Sequence, residues 1–181
     1  MASRIRLIGD PILRTPAARV TDRAAARPCH EALLATLADF RKKNGFGRAI
    51  AAPQIGHGLR MIAVHLQDEP FVMYNPEITR KSEEMFSLFD DCFSFPWLLV
   101  PVQRHVEIDV SYETVDGDTA QMRQCPRSVS ELLQHEIDHL DGVLSTDRAL
   151  KEPGIIARSV FAEDPEAFLQ LIGSDYAIKM T

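Results

Sequence analysis

Apolar residues in 28–43 recur at helical spacing, with Leu33, Leu34, Leu37 and Phe40 falling on one side and Asn44-Gly45 following as a stop. The pattern predicts an amphipathic helix there. A different period rules 105–113, where Val106, Ile108, Val110 and Tyr112 alternate with Glu107, Asp109, Ser111 and Glu113. Strict alternation indicates a strand with one face buried, and Asp116-Gly117 predicts a hairpin turn into a return strand over 119–124. Segments 60–66 and 71–78 are short, apolar and β-prone, and are expected to be strands. In 128–141, Leu132, Leu133, Ile137 and Leu140 return to helical spacing. Ser128 and Glu131 have the spacing of a capping box before them, and Gly142 stands just beyond. Asp164-Pro165 opens a last short helix through Phe168, Leu169, Leu171 and Ile172 that ends at Gly173, and 1–22 reads as an irregular arm. Short antiparallel strands packed around one central helix make an α+β fold the expectation.

Composition narrows the setting. A chain of 181 residues with 45% hydrophobic and 25% charged residues suits one soluble domain with a sizeable core. The formal net charge is −6 and no run of Lys or Arg is long enough to track phosphates, so nucleic acid is not an expected partner. No stretch approaches the roughly 20 apolar residues that span a bilayer, and the opening residues lack the continuous apolar core of a signal peptide. No membrane contact and a cytoplasmic location are therefore expected. Cys29, Cys92 and Cys125 have no regular spacing, and three thiols in such a chain do not suggest a disulfide framework.

The chemistry concentrates in His135-Glu136-Ile137-Asp138-His139, an H-E-x-x-H within a segment read independently as helix. Residues four apart on a helix stand one above the other, so two imidazoles can converge on one cation with Glu136 beside them. Two solvated histidines on a helix face are the plain alternative. A hydrolytic site usually takes three protein ligands and leaves one position open, and no further His or Glu follows His139 at a zincin-like spacing. Cys92 is the best remaining donor, because its segment Asp90-Asp91-Cys92-Phe93-Ser94 carries polar residues that packing does not require. Spacing alone leaves open whether Cys92 ligates or is a small buried hydrophobe.

Three segments, in order, resemble the signature motifs of the peptide deformylases. Gly47-Arg48-Ala49-Ile50-Ala51-Ala52-Pro53-Gln54-Ile55-Gly56 is similar to G-x-G-φ-A-A-P-Q-x-G, and Asp90-Asp91-Cys92-Phe93-Ser94 to E-G-C-L-S. Gln134-His135-Glu136-Ile137-Asp138-His139-Leu140-Asp141-Gly142 matches Q-H-E-x-D-H-L-x-G. The resemblance implies one catalytic domain over 1–181 that removes the formyl group from N-formyl-methionyl peptides of newly made proteins. It implies Cys92, His135 and His139 as ligands of one divalent metal, natively Fe(II), with Zn, Ni or Co accepted. A thiolate with two neutral imidazoles suits those ions better than magnesium or calcium. By the same resemblance Glu136 takes and returns a proton, while the Gln54 side chain and the Phe93 backbone N–H face the developing oxyanion.

The departures from the family pattern gather where a substrate is expected, at Ala49, Asp91 and Glu131, and Arg104, which matches the family, is expected with them around the substrate. Ala49 and Asp91 each replace a glycine, the second beside the family's methionine pocket, and Asp90, in place of glutamate, could pair with Arg104. Glu131 stands where the family's pocket is usually apolar, or is one end of a capping box. An acidic pocket wall supports an alternative, the same chemistry on a different formylated or acylated amine. A protein that only holds its metal would need a fourth ligand, and none is evident near either motif. His30, His57, His65 and His105 have no partner at ligand spacing, and Trp97 is expected to pack.

Overall fold

The computed structural model describes residues 1–66 and 69–173. Helix α1 spans Arg23–Asn44, with the Asp22 carboxylate accepting from the Ala25 N–H at 3.1 Å and Gly45 closing the helix at φ 79°. It begins before the expected 28, because Asp22 is a better cap than any residue near Pro28. Pro28 forfeits only the bond its missing N–H would make one turn back.

Five strands form an antiparallel sheet in the order β1 (Ala49–Ala51), β2 (Met61–Val64), β3 (Phe71–Lys81), β6 (Ile108–Glu113) and β7 (Thr119–Cys125). The β6–β7 hairpin and the strands near 60–66 and 71–78 agree with the alternation and β-propensity of the sequence. A second sheet of β4 (Met85–Asp90), β5 (Leu98–His105) and the two-residue β8 (Ile156–Ala157) was not evident in the sequence. Consecutive positions 88–90 and 99–102 are buried, so only a few residues at the strand ends alternate and the period is weak.

Helix α2, Arg127–Leu140, is buried at every position from Ser130 to Leu140. Leu132, Leu133, Ile137 and Leu140 join Ile62, Met73, Ile108 and Val110 in the core under the larger sheet. Cys92 lies in a separate cluster with Phe86, Leu88, Phe95, Val100 and Val102, so the polar side of α2 meets the end of β4. The expected capping box does not form. Pro126 precedes the helix without a side-chain cap, Ser128 lies inside it, and the Glu131 carboxylate bonds to Arg48 instead. At Gly142, which follows α2 at φ 73°, an added Cβ would sit 2.8 Å from the Arg14 carbonyl oxygen. Only glycine lets the N-terminal arm cross there.

That arm is tied to the site, with Arg6 N–H donating to the Gln54 carbonyl at 2.7 Å and Ile8 N–H to that of Ser94 at 2.9 Å. At the other end, α3 (Arg158–Phe161) and α4 (Pro165–Leu171) lay Phe161 and Phe168 on Phe89, with ring centroids 5.1 and 6.3 Å away. No helix among the described residues is long and apolar enough to cross a membrane.

Candidate metal centre

Cys92 leaves the end of β4 while His135 and His139 stand one turn apart on α2, and their ligand atoms all lie within 4.8 Å of one another. Cys92 Sγ is 3.2 Å from His139 Nε2. All three residues are buried. The His135 ring is oriented from behind, its Nδ1 lying 3.0 Å from Asp90 Oδ2, and such a bond leaves Nε2 for a metal. Asp90 is held by Arg104 Nη2 at 2.7 Å, Arg104 also pairs with Asp138, and Asp138 is held by Arg148 at 2.6 Å. Burial disfavours the charge on Asp90, but His135 and Arg104 outweigh it and hold the carboxyl well below the usual range. Burial pulls the proton affinity of His139 well below the usual value, which leaves a neutral imidazole ready to ligate.

Glu136 is buried beside the ligands, and its Oε2 has no hydrogen-bond partner among the described residues. Burial pushes its pKa up to about 7. Gln54 is aimed by its own backbone neighbour: Oε1 accepts from Ala51 N–H at 2.9 Å, so the NH2 group faces Cys92 Sγ at 3.4 Å and Ser94 Oγ at 3.3 Å. The His135 imidazole, the Cys92 thiol, the Glu136 carboxylate and the oriented Gln54 amide thus line a cavity of about 1070 Å³, with His139 buried next to Cys92. Phe93, stacked on Phe40 with centroids 3.8 Å apart, forms part of its wall.

Of the residues expected around a substrate, Ala49, Asp91 and Glu131 line the cavity. Arg104 does not; it is buried behind Asp90, where it neutralises two carboxylates, and its expected contact with substrate is corrected to a supporting position. Asp91 bonds Arg158 Nη2 at 3.0 Å, and Glu131 bonds Arg48 Nη2 at 2.6 Å. Sequence reasoning missed both arginines. Arg48 fills an unassigned position of the first motif, and a basic residue there with an acidic one at Glu131 was the available signal. Arg158 lies beyond every motif. His65 reaches the cavity wall, His30 instead bonds the Tyr74 hydroxyl at 2.8 Å, and Trp97, expected to pack, is half exposed.

A buried Cys-His-His group with an H-E-x-x-H carboxylate, open to a cavity in an α+β fold, defines a metal-dependent hydrolase. The polypeptide deformylase family model matches residues 2–153, and the chain belongs to that family. It is 38% identical over 152 residues to a peptide deformylase of Dictyoglomus thermophilum, covering 84% of this chain and 95% of that one. The solved peptide deformylase of Thermotoga maritima superposes with a TM-score of 0.75 at 31% identity, over 83% of this chain and 99% of its own. That of Thermus thermophilus gives 0.74 at 32% identity, over 94% and 96%.

Proposed function

We propose that this chain hydrolyses the formyl–nitrogen bond of N-formylated peptide termini, formyl-methionyl termini among them. The observation that carries the reading is the meeting of Cys92, His135 and His139 within 4.8 Å, with Glu136 buried alongside. The donor set fits a divalent cation of the iron-to-zinc series, and Fe(II) is the native ion we assign from the family. When bound, that cation supplies Lewis acidity toward water and the formyl oxygen. Glu136, buried beside the ligands with one carboxylate oxygen left without a partner among the described residues, takes the proton of the attacking water and passes it to the departing amine. The Gln54 NH2 group, fixed by Ala51, and the Phe93 backbone N–H donate to the oxygen that becomes anionic at the tetrahedral stage. Asp90 and Arg104 hold His135 in the tautomer that ligates.

We read residues 1–181 as one catalytic domain acting on newly made chains in the cytoplasm. The family match over 2–153 and the packing of Phe161 on Phe89 support treating the later helices as part of that unit. A second reading, the same chemistry on another formylated or acylated amine, is favoured by the Arg48–Glu131 and Asp91–Arg158 pairs in the cavity wall. The test is formate release from N-formyl-Met-Ala by protein loaded anaerobically with Fe(II), with Glu136→Ala as control. Turnover that falls by about 100-fold or more in the control is expected. Absence of formate from a protein carrying one metal per chain would overturn the reading.

A further inference from the structure

Glu131 stands four residues before His135, so on α2 it lies one turn from a metal ligand and on the same face. Its carboxylate is buried, with 6% of the side chain exposed, whereas the Arg48 side chain it pairs with is 44% exposed. Arg48 spans the first turn of the helix, donating through Nη1 to the Ser128 carbonyl at 2.7 Å and through Nη2 to Glu131 Oε1 at 2.6 Å. Both residues line the cavity that ends at Cys92, His135 and Glu136. A buried ion pair is weak evidence for stability, since apolar residues of similar volume often serve as well. Here the pair faces the space a ligand enters.

We infer that the Arg48–Glu131 pair sets the side-chain preference of this cavity, favouring N-formyl residues ending in a carboxamide over those ending in a hydrocarbon of equal length. The inference rests on the deformylation reading and names the substrate side chain for it. A hydrocarbon laid over the guanidinium strips water from it and returns no hydrogen bond. A carboxamide offers an acceptor to Arg48 and a donor to Glu131 at once. Charged side chains gain less, because a cation meets Arg48 and an anion meets Glu131. Apolar contacts remain for the stem of the side chain, since Leu88, Val129 and Leu132 also line the cavity.

The test compares kcat/KM for N-formyl-Gln-Ala-Ser and N-formyl-norleucyl-Ala-Ser, whose first side chains have the same length, on metal-loaded wild type and on the Arg48→Ile, Glu131→Ile double variant. Wild type is expected to favour the glutamine peptide by about tenfold, the worth of one net hydrogen bond, and the double variant to reverse the order. Should that variant not fold, Arg48→Met with Glu131→Gln keeps the shape, and the preference is expected to fall toward one. Formate release with a wild-type preference for norleucine, or a ratio unchanged in the folded variant, overturns the side-chain inference and leaves deformylation standing. No formate from either peptide or from N-formyl-Met-Ala removes both.

Discussion

At Asp90 one buried carboxylate serves two partners, the imidazole of His135, a ligand in the proposed site, and the guanidinium of Arg104. The consequences separate on substitution. Asp90→Asn frees the His135 ring to turn, and metal affinity is expected to fall roughly 10- to 100-fold, read by competition with a chelator. It also leaves Arg104 short of a counter-charge, and the metal-free variant is expected to lose about 3 kcal/mol in urea unfolding. Because the folded carboxyl holds its charge below the usual range, its contribution is complete above the pH where a free aspartate ionises, about 3.9, and is lost as pH falls. Wild type should therefore lose more stability than Asp90→Asn on acidification from about pH 5 to pH 3, and equal losses would contradict the role assigned to this carboxylate. The pairing of Asp90 with Arg104 was legible as two complementary residues near one motif. That Arg104 faces away from the substrate was not, because the sense of a strand residue depends on which face its neighbours cover.

Among elements, α2 was legible and β4 with β5 were not, for the same physical reason. In α2 the apolar residues keep helical spacing, so buried His135, Glu136 and His139 stand out as polar groups that packing does not need. Strands β4 and β5 are buried on both faces only over 88–90 and 99–102, and Pro101 interrupts the second run, so the period is too short to read. Arg48 and Glu131 lie 83 positions apart, and only the approach of β1 to α2 brings them together. The segment after 150 was read merely as a short helix, yet it braces the strand that delivers Cys92, through Phe161 and Phe168 on Phe89. Phe161→Ala is expected to cost about 3 kcal/mol and lower the melting temperature of the metal-free protein. A loss under about 1 kcal/mol would mean that this brace is not packed as described.

For the molecule as a whole, the proposed site joins two parts of the fold, since Cys92 lies in the core cluster beside the smaller sheet while His135 and His139 stand on α2, which packs under the larger one. Binding that engages only the folded chain stabilises it by about 2.7 kcal/mol at a hundredfold excess over Kd. Removing the metal should therefore lower the melting temperature by roughly 5 to 10 °C at this size, and an unchanged transition would contradict a site built across the two cores. The family-wide metal chemistry was legible because its residues lie in short motifs, whereas the character of the cavity wall depends on pairs formed by distant segments. The most direct test of the metal-hydrolase account is to titrate metal-free protein with Fe(II) under anaerobic conditions and follow formate release from N-formyl-Met-Ala. The account predicts activity rising in proportion to added metal up to one equivalent per chain, then level, with none in Cys92→Ala or His139→Ala. Formate release by metal-free protein, or one bound metal per chain without turnover, would contradict it.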